Sequence, residues 1–240
     1  MDKQYNMFHK NTTSQWKIVS DNNFTYRKII DVLKEEINDR DIDVLDYGCG
    51  AGTISLYLGK KRFNVFGVDI SKEAIDKCNE SSKIMSLENF VMFSLVPKKF
   101  TKKFDVIICF EVIEHIKDDI KLIKLFHRLL KINGKLILST PSVNAPLYRL
   151  GLAKKFDNRV GHLRRYEWKS LQNIIQESGF VITKTLLTEG VVRNALYLFP
   201  VLGKFIKFIK GPISDLITYF DDVSAMLFGE SDIFIIAQKI

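Results

Sequence analysis

The chain is poor in cysteine, and the three it has, Cys49, Cys78 and Cys109, are scattered without metal-ligating spacing. An odd, dispersed set argues against a disulfide framework and suits a reducing compartment. Long apolar runs are missing too: no uncharged stretch reaches the ~18 residues needed to cross a bilayer. The opening MDKQYNMFHKNTT has no apolar core of signal-peptide type. The expectation is a cytoplasmic protein, or one held peripherally on the inner membrane face. Disorder is excluded by composition, because 46% hydrophobic against 27% charged residues can build a sizeable core. At 240 residues, one α/β domain with an insertion fits better than two full domains. Acidic residues are outnumbered, 28 against 36 basic, for a net charge of +8. That favours anionic partners such as nucleic acid or a membrane surface, without choosing between them.

What is present is organised around VLDYGCGAGT, Val44 to Thr53. A short apolar run ends in Asp46, glycines follow at Gly48, Gly50 and Gly52, and Ile54, Leu56 and Leu58 open a segment with helical spacing. Strand, glycine turn and helix make a cofactor-binding βα unit, since glycine tolerates positive φ and has no Cβ to hold a ligand away from the backbone. One glycine is lacking. The dinucleotide fingerprint needs it at the position of Thr53, which weakens a nicotinamide reading. A second apolar run from Asn64 ends in Asp69, about 20 residues beyond Gly48, where an acid at the tip of the next parallel strand can accept from both ribose hydroxyls.

These stretches resemble a class I S-adenosylmethionine-dependent methyltransferase over roughly residues 24 to 190 and the final strand. VLDYGCGAG is similar to the family's first motif, VFGVDIS to its second, FDVIICFEVIEHI to its fourth strand and following turn, and NGKLILSTP to its fifth. The resemblance implies that Gly48, Gly50 and Gly52 pack against the methionine part of S-adenosylmethionine. Asp46 would support its amino group, Asp69 would hold the ribose, and Ile70 would lie on the adenine. The acid that family members often carry just beyond strand three is missing; Ser94, Leu95 and Val96 stand there. Ser94 and Phe110, at the ends of strands three and four, complete the cofactor-side candidates.

In parallel sheets ligands sit beyond the carboxyl ends of the strands, so Glu111, Glu114 and His115 fall where an acceptor would meet the donor's methyl group. If the turn is helical, as Ile116 to Lys131 suggests, residues at offsets of three and four share a face. Glu111, His115 and His162 are the candidate catalytic residues. Two carboxylates and an imidazole, with His162 from GHLRRYEW as a fourth group, form an alternative divalent-cation site of Glu111, Glu114, His115 and His162. This constellation is similar to one in the O-methyltransferases of ubiquinone biosynthesis and in small-RNA 2'-O-methyltransferases. The bland alternative is a Glu that caps a helix and a His packed beneath the loop.

Along the chain, residues 1 to 40 read as an N-terminal helical cap, with a helix from Phe24 to Ile37. Residues 1 to 23 (Tyr5, Phe8, His9, Trp16) form either a lid or a frayed terminus. A helix from Asp118 to Lys131 is stopped by Asn133-Gly134, and strand five runs from Lys135 to Ser139. The loop that follows carries Tyr148, Arg149, Arg159, Arg164 and Arg165, which either clamp an anionic acceptor or tie the loop down by ion pairs. Strand six, Phe180 to Leu187, and strand seven, Asp232 to Gln238, are separated by about 40 residues, far more than a hairpin loop. This insertion, residues 189 to 230, is apolar and amphipathic. Lys204, Lys207 and Lys210 fall on one side of a helix, with Val201, Leu202, Phe205, Ile206, Phe208 and Ile209 opposite. It suits a membrane surface contacted through residues 196 to 220, or a cover for the pocket or a dimer partner. The expected fold is Rossmann-like: a seven-stranded, mostly parallel sheet with helices on both faces and an antiparallel last strand. The expected activity is methyl transfer from S-adenosylmethionine to a small or lipid-like acceptor, at a hydroxyl oxygen. A nucleic-acid acceptor and a non-catalytic cofactor-binding or membrane-surface scaffold are the alternatives.

Overall fold

A computed structural model of the chain describes residues 13–39, 41–203, 206, 209 and 211–240. Lys204, Phe205, Lys207, Phe208 and Lys210, on which the basic amphipathic helix was read, lie outside the described residues, as do Tyr5, Phe8 and His9.

Seven strands form one sheet in the order β3-β2-β1-β4-β5-β7-β6. They are β1 (Asp43–Tyr47), β2 (Asn64–Asp69), β3 (Val91–Leu95), β4 (Phe104–Phe110), β5 (Leu130–Pro141), β6 (Phe180–Thr188) and β7 (Asp232–Lys239). Strands β1 to β5 pair in parallel, and β7 runs antiparallel between β5 and β6, as expected. The helices are α1 (Arg27–Glu36), α2 (Thr53–Lys60), α3 (Lys72–Ile84), α4 (Asp119–Leu129), α5 (Pro146–Arg149), α6 (Lys154–Val160), α7 (Trp168–Glu177), α8 (Val191–Leu198), α9 (Pro200–Gly203) and α10 (Pro212–Phe228). Chain order reverses between β1 and β4, and that switch point opens the crevice a ligand uses.

Two apolar layers sandwich the sheet. On one face Ile30 and Leu33 of α1 and Leu56 and Leu58 of α2 pack with Val44, Ile108 and Ile236. On the other, Leu122, Ile123 and Phe126 of α4 and Leu171 and Ile175 of α7 pack with Leu45, Ile107 and Ile235. Strands covered on both faces read as nearly continuous apolar runs, which is why β4 and β7 are so uniformly hydrophobic.

Three boundaries differ from the sequence reading. Among the described residues of the cap, only Arg27–Glu36 is helical; residues 13–26 run as turns and irregular chain, and Gln15 Nε2 donates to Ala51 O and Thr53 Oγ1 at 2.8 Å each, over the glycine loop. Asn133 and Gly134 do not stop α4 but lie within β5, which begins at Leu130. Asn133 takes φ +62°, and a Cβ at Gly134 would meet Lys131 O at 2.9 Å and Asp105 O at 3.0 Å, so the bulged start of the strand needs a glycine there. The turn after β4 is a short 3₁₀ segment, Ile113–His115, and α4 begins only at Asp119, with the Asp118 carboxylate accepting from Lys121 N at 3.0 Å. Glu111 therefore does not share a helical face with Glu114 and His115.

The insertion packs as helices. Gly190 lets α8 and α10 touch: a Cβ there would lie 2.0 Å from Ser224 Oγ and 2.2 Å from Asp221 O. Arg193 of α8 is fully buried, its Nε 3.3 Å from Asp221 Oδ2 and its guanidinium 3.9 Å from the Phe24 ring centroid. It donates to Phe24 O and to Thr218 Oγ1, so one side chain joins α8, α10 and the segment before α1.

Candidate active site

A cavity of about 580 Å³ opens at the switch point. Its floor is the glycine loop and the tips of β1, β4 and β5: Asp46, Gly48, Gly50, Thr53, Phe110, Glu111 and Ser139. The loop is set by its own backbone. Gly48 N and Cys49 N both donate to Val68 O, at 2.8 and 3.0 Å, and Gly48, Gly50 and Gly52 all adopt positive φ. A Cβ on Gly48 would sit 2.4 Å from Val112 Cγ2, so the loop packs directly against the turn that carries Glu114 and His115.

Asp46 is buried, accepts from Ser55 Oγ at 2.6 Å, and has its pKa pushed up to about 7, chiefly by burial. Asp69 is buried as well; its carboxylate accepts from Gly50 N at 2.9 Å and Ser71 N at 2.8 Å, tying the glycine loop to the tip of β2. Of the cofactor-side candidates, Asp46, Gly48, Gly50 and Phe110 line the cavity, whereas Gly52, Asp69, Ile70 and Ser94 do not. Gly52 caps α2, Ile70 stands 49% exposed at the tip of β2, and the Ser94 hydroxyl donates to Leu95 O at 2.9 Å.

On the opposite wall, Glu114, His115 and His162 converge, with one ligand atom from each lying within 4.8 Å of the others. Glu114 is fully buried, and its Oε1 has no hydrogen-bond partner among the described residues. His115 Nε2 lies 3.6 Å and His162 Nε2 3.7 Å from that oxygen. Both rings have their other nitrogen engaged: His115 Nδ1 is 3.0 Å from Gly161 O, and His162 Nδ1 is 2.9 Å from Asp157 Oδ1. Those partners assign the protons to Nδ1 and leave both Nε2 lone pairs facing Glu114. Thr140 Oγ1 donates to the other Glu114 oxygen at 3.1 Å. Burial and the nearby Glu111 carboxylate hold Glu114 well above the usual range, and burial lowers His115.

Glu111 is the fourth residue of the expected cation set, and it stands outside the converging group. With φ +55° it turns away, accepting from Ser139 Oγ at 2.8 Å. Solvent inside the cavity reaches its carboxyl while protein surrounds it, and burial raises its pKa. It faces two acids the sequence reading did not single out, Asp232 at the start of β7 and Glu189 after β6. Glu189 is raised to about 7 by burial. Asp157 was also missed, and only its two neighbours in space show its role: it takes His162 Nδ1 and a two-pronged bond from Arg165, at 3.0 and 2.7 Å. The arginines tie the loop down. Arg164 bonds Asp119 at 2.6 Å and Arg165 holds Asp157, although Arg159 and Arg165 also line the cavity.

Residues 22–185 match the model of a family described as a methyltransferase domain. The chain belongs to that family. Ubiquinone biosynthesis O-methyltransferases are among the relatives of this methyltransferase domain. That of Rickettsia bellii is 31% identical over 126 residues, 52% of each chain, and that of Coxiella burnetii 34% identical over 118 residues, 48% of this chain and 50% of the relative. The chain thus spans about half the length of the curated relatives it matches. Among solved structures, magnesium protoporphyrin IX methyltransferase from Synechocystis PCC 6803 with bound SAH has a TM-score of 0.61 at 18% identity, covering 100% of this chain and 94% of that one. Phosphoethanolamine N-methyltransferase 2 of Haemonchus contortus in complex with S-adenosyl-L-methionine has a TM-score of 0.64 at 17% identity, covering 89% and 52%. These likenesses establish the fold, and the family agrees with the four motifs and their order.

Proposed function

We propose that the chain transfers a methyl group from S-adenosylmethionine to a hydroxyl oxygen of a small or lipid-like acceptor. The observation that carries this reading is one continuous cavity with a glycine loop and Asp46 at one end and two histidines directed at a single buried carboxylate at the other. The relatives named for ubiquinone biosynthesis support an oxygen as acceptor.

The donor supplies an already activated methyl carbon, so the protein's work is to hold two groups in line and to accept one proton. Gly48 and Gly50 let the donor approach the backbone and Asp46 accepts from its amino group, while Asp69, which braces the loop through Gly50 N from outside the cavity lining, takes the ribose with its remaining lone pairs when the donor extends past the loop to the tip of β2. Phe156, Val160, Tyr197, Leu198 and Ile29 give the acceptor's apolar part a lining, with Glu111, His115 and His162 next to its hydroxyl. The hydroxyl proton passes to one of these three as its oxygen attacks.

The residues present fit a divalent cation. Glu114 Oε1 lacks a partner among the described residues, and two neutral imidazoles with a carboxylate form a donor set such ions accept. Glu114, His115 and His162 would hold it, and it would supply Lewis acidity to the acceptor hydroxyl. Methyl-labelled donor incubated with the protein and fractionated cell extract should place label in the lipid or small-molecule fraction. Label only in nucleic acid, or in no fraction, overturns the proposal.

A further inference from the structure

Helix α10 is built inside out. Ser214, Thr218 and Asp221, one stripe at helical spacing, are buried against α8 and the segment before α1. The opposite side presents Ile213, Leu216, Tyr219, Phe220, Val223, Met226 and Leu227, with Met226 86% and Leu227 70% exposed, and Phe228 is exposed at the helix end. In α4 the order is the ordinary one, with Leu122, Ile123, Phe126 and Leu129 buried. Single exposed apolar residues are common, but a whole helix face of them marks an interaction surface.

Charge around the patch identifies the partner. The three acids of α10 are each answered by a cation: Asp215 by Arg27, Asp221 by Arg193 and Asp222 by Lys28. At its carboxyl end, Arg149 Nη1 is 3.4 Å from Phe228 O, which sets the 146–165 segment beside it. That segment adds exposed Leu150 and Leu152, followed by exposed Lys154 and Lys155, and from 146 to 165 it holds six basic residues and one acid. It also supplies Phe156, Arg159 and Val160 to the cavity wall, so the patch adjoins the cavity. No helix among the described residues is long and apolar enough to cross a membrane, which leaves docking in the plane of a surface.

We infer that the outer face of α10, with Leu150 and Leu152 and the lysines beside them, docks on an anionic lipid bilayer. Apolar side chains enter the headgroup boundary while Lys154 and Lys155 meet anionic headgroups. A second copy fits worse, because pairing this face with itself brings like charges together. The inference rests on the proposed function only in taking the acceptor as lipid-like, and the patch lies outside the cavity.

The test is flotation of the full chain with phosphatidylcholine vesicles, with and without phosphatidylglycerol. The wild type should float with the anionic vesicles. Leu216→Ser/Leu227→Ser should lower the bound fraction about ten-fold or more, and Lys154→Glu/Lys155→Glu should lower it on anionic vesicles only, both with unchanged circular dichroism and donor affinity. The inference is overturned if the wild type stays unbound, if the apolar variant floats equally well, or if light scattering shows a dimer that those substitutions dissociate. Unbound protein that still methylates an acceptor in solution overturns docking alone. Bound protein that transfers no label to any fraction overturns the proposed function alone.

Discussion

The two ends of the cavity are made differently. The donor end is a run of near neighbours, Asp46 to Thr53, shaped by backbone bonds such as Gly52 N to Cys49 O at 2.8 Å and defined largely by missing Cβ atoms. The acceptor end is gathered from 25–29, 111–115, 156–165, 189–198 and 231–232, and side chains hold it together. Leu163 N bonds Glu114 O at 3.0 Å, and Arg164 and Arg165 clamp their segment to Asp119 and Asp157. Damage at one end should therefore spare the other, unless it reaches the contact of Gly48 with Val112.

The largest expected effect tests that separation. His162→Ala removes an imidazole from the acceptor wall without touching the glycine loop. Turnover should fall by about 10²- to 10⁴-fold, the range for losing a positioned acid or base, while calorimetry shows unchanged affinity for S-adenosylmethionine. A parallel loss of donor affinity would mean that the two ends are one unit. Full activity would take His162 out of both roles, and full activity of His115→Ala as well, with indifference to a chelator, would leave Glu111 as the one remaining base and remove the cation from the proposal.

The same contrast decides what could be read in advance. The glycine turn, the acid that ends β2 and the buried β4 were legible as places in the fold because each is a local pattern: alternate glycines, an acid ending an apolar run, and a strand apolar on both faces. Glu114, His115 and His162 were found because the first two stand with Glu111 in one short string, EVIEH, and His162 is one of only four histidines in the chain. Their geometry was not legible. A helical turn would have included Glu111, but the backbone enters the left-handed region at that residue and continues as 3₁₀, leaving Glu111 with Ser139 and Asp232. Asp157, Glu189 and Asp232 were missed because an isolated acid acquires a role only through partners distant in sequence. In α10 the helical period was visible, yet the direction of its faces was not: only the buried Arg193 shows that the polar stripe lies inside.

A middle-sized effect sharpens the account of the acceptor end. Asp157 touches neither cavity ligand position directly but fixes the His162 proton at Nδ1, and Arg165 in turn fixes Asp157. Asp157→Ala should weaken divalent-cation affinity about 10- to 100-fold, as loss of an outer partner does elsewhere. Asp157→Asn should recover part of it, because the amide oxygen still accepts from Nδ1. Direct titration with Co²⁺, followed by its absorption, reads this without turnover. Equal affinity in all three proteins would make Asp157 a fastening for the loop and nothing more.

The smallest effect lies at the donor end and depends on pH. Burial pushes the Asp46 carboxyl from its ordinary 3.8 up to about 7, because it disfavours the charged form. The folded protein therefore binds more protons than the unfolded chain between these values, so this group favours folding fully below about pH 4 and progressively less as pH rises through 7. Asp46→Asn, which carries no charge, should melt above the wild type at pH 8, with the gap closing toward pH 5. Donor binding near pH 6 should release a proton in the wild type and not in the variant, because an ammonium placed against Asp46 favours its ionised form. Calorimetry in two buffers of different ionisation enthalpy measures that release. If both proteins release the same number of protons, the donor's amino group lies elsewhere in the loop, and the donor end must be redrawn around Asp69 alone.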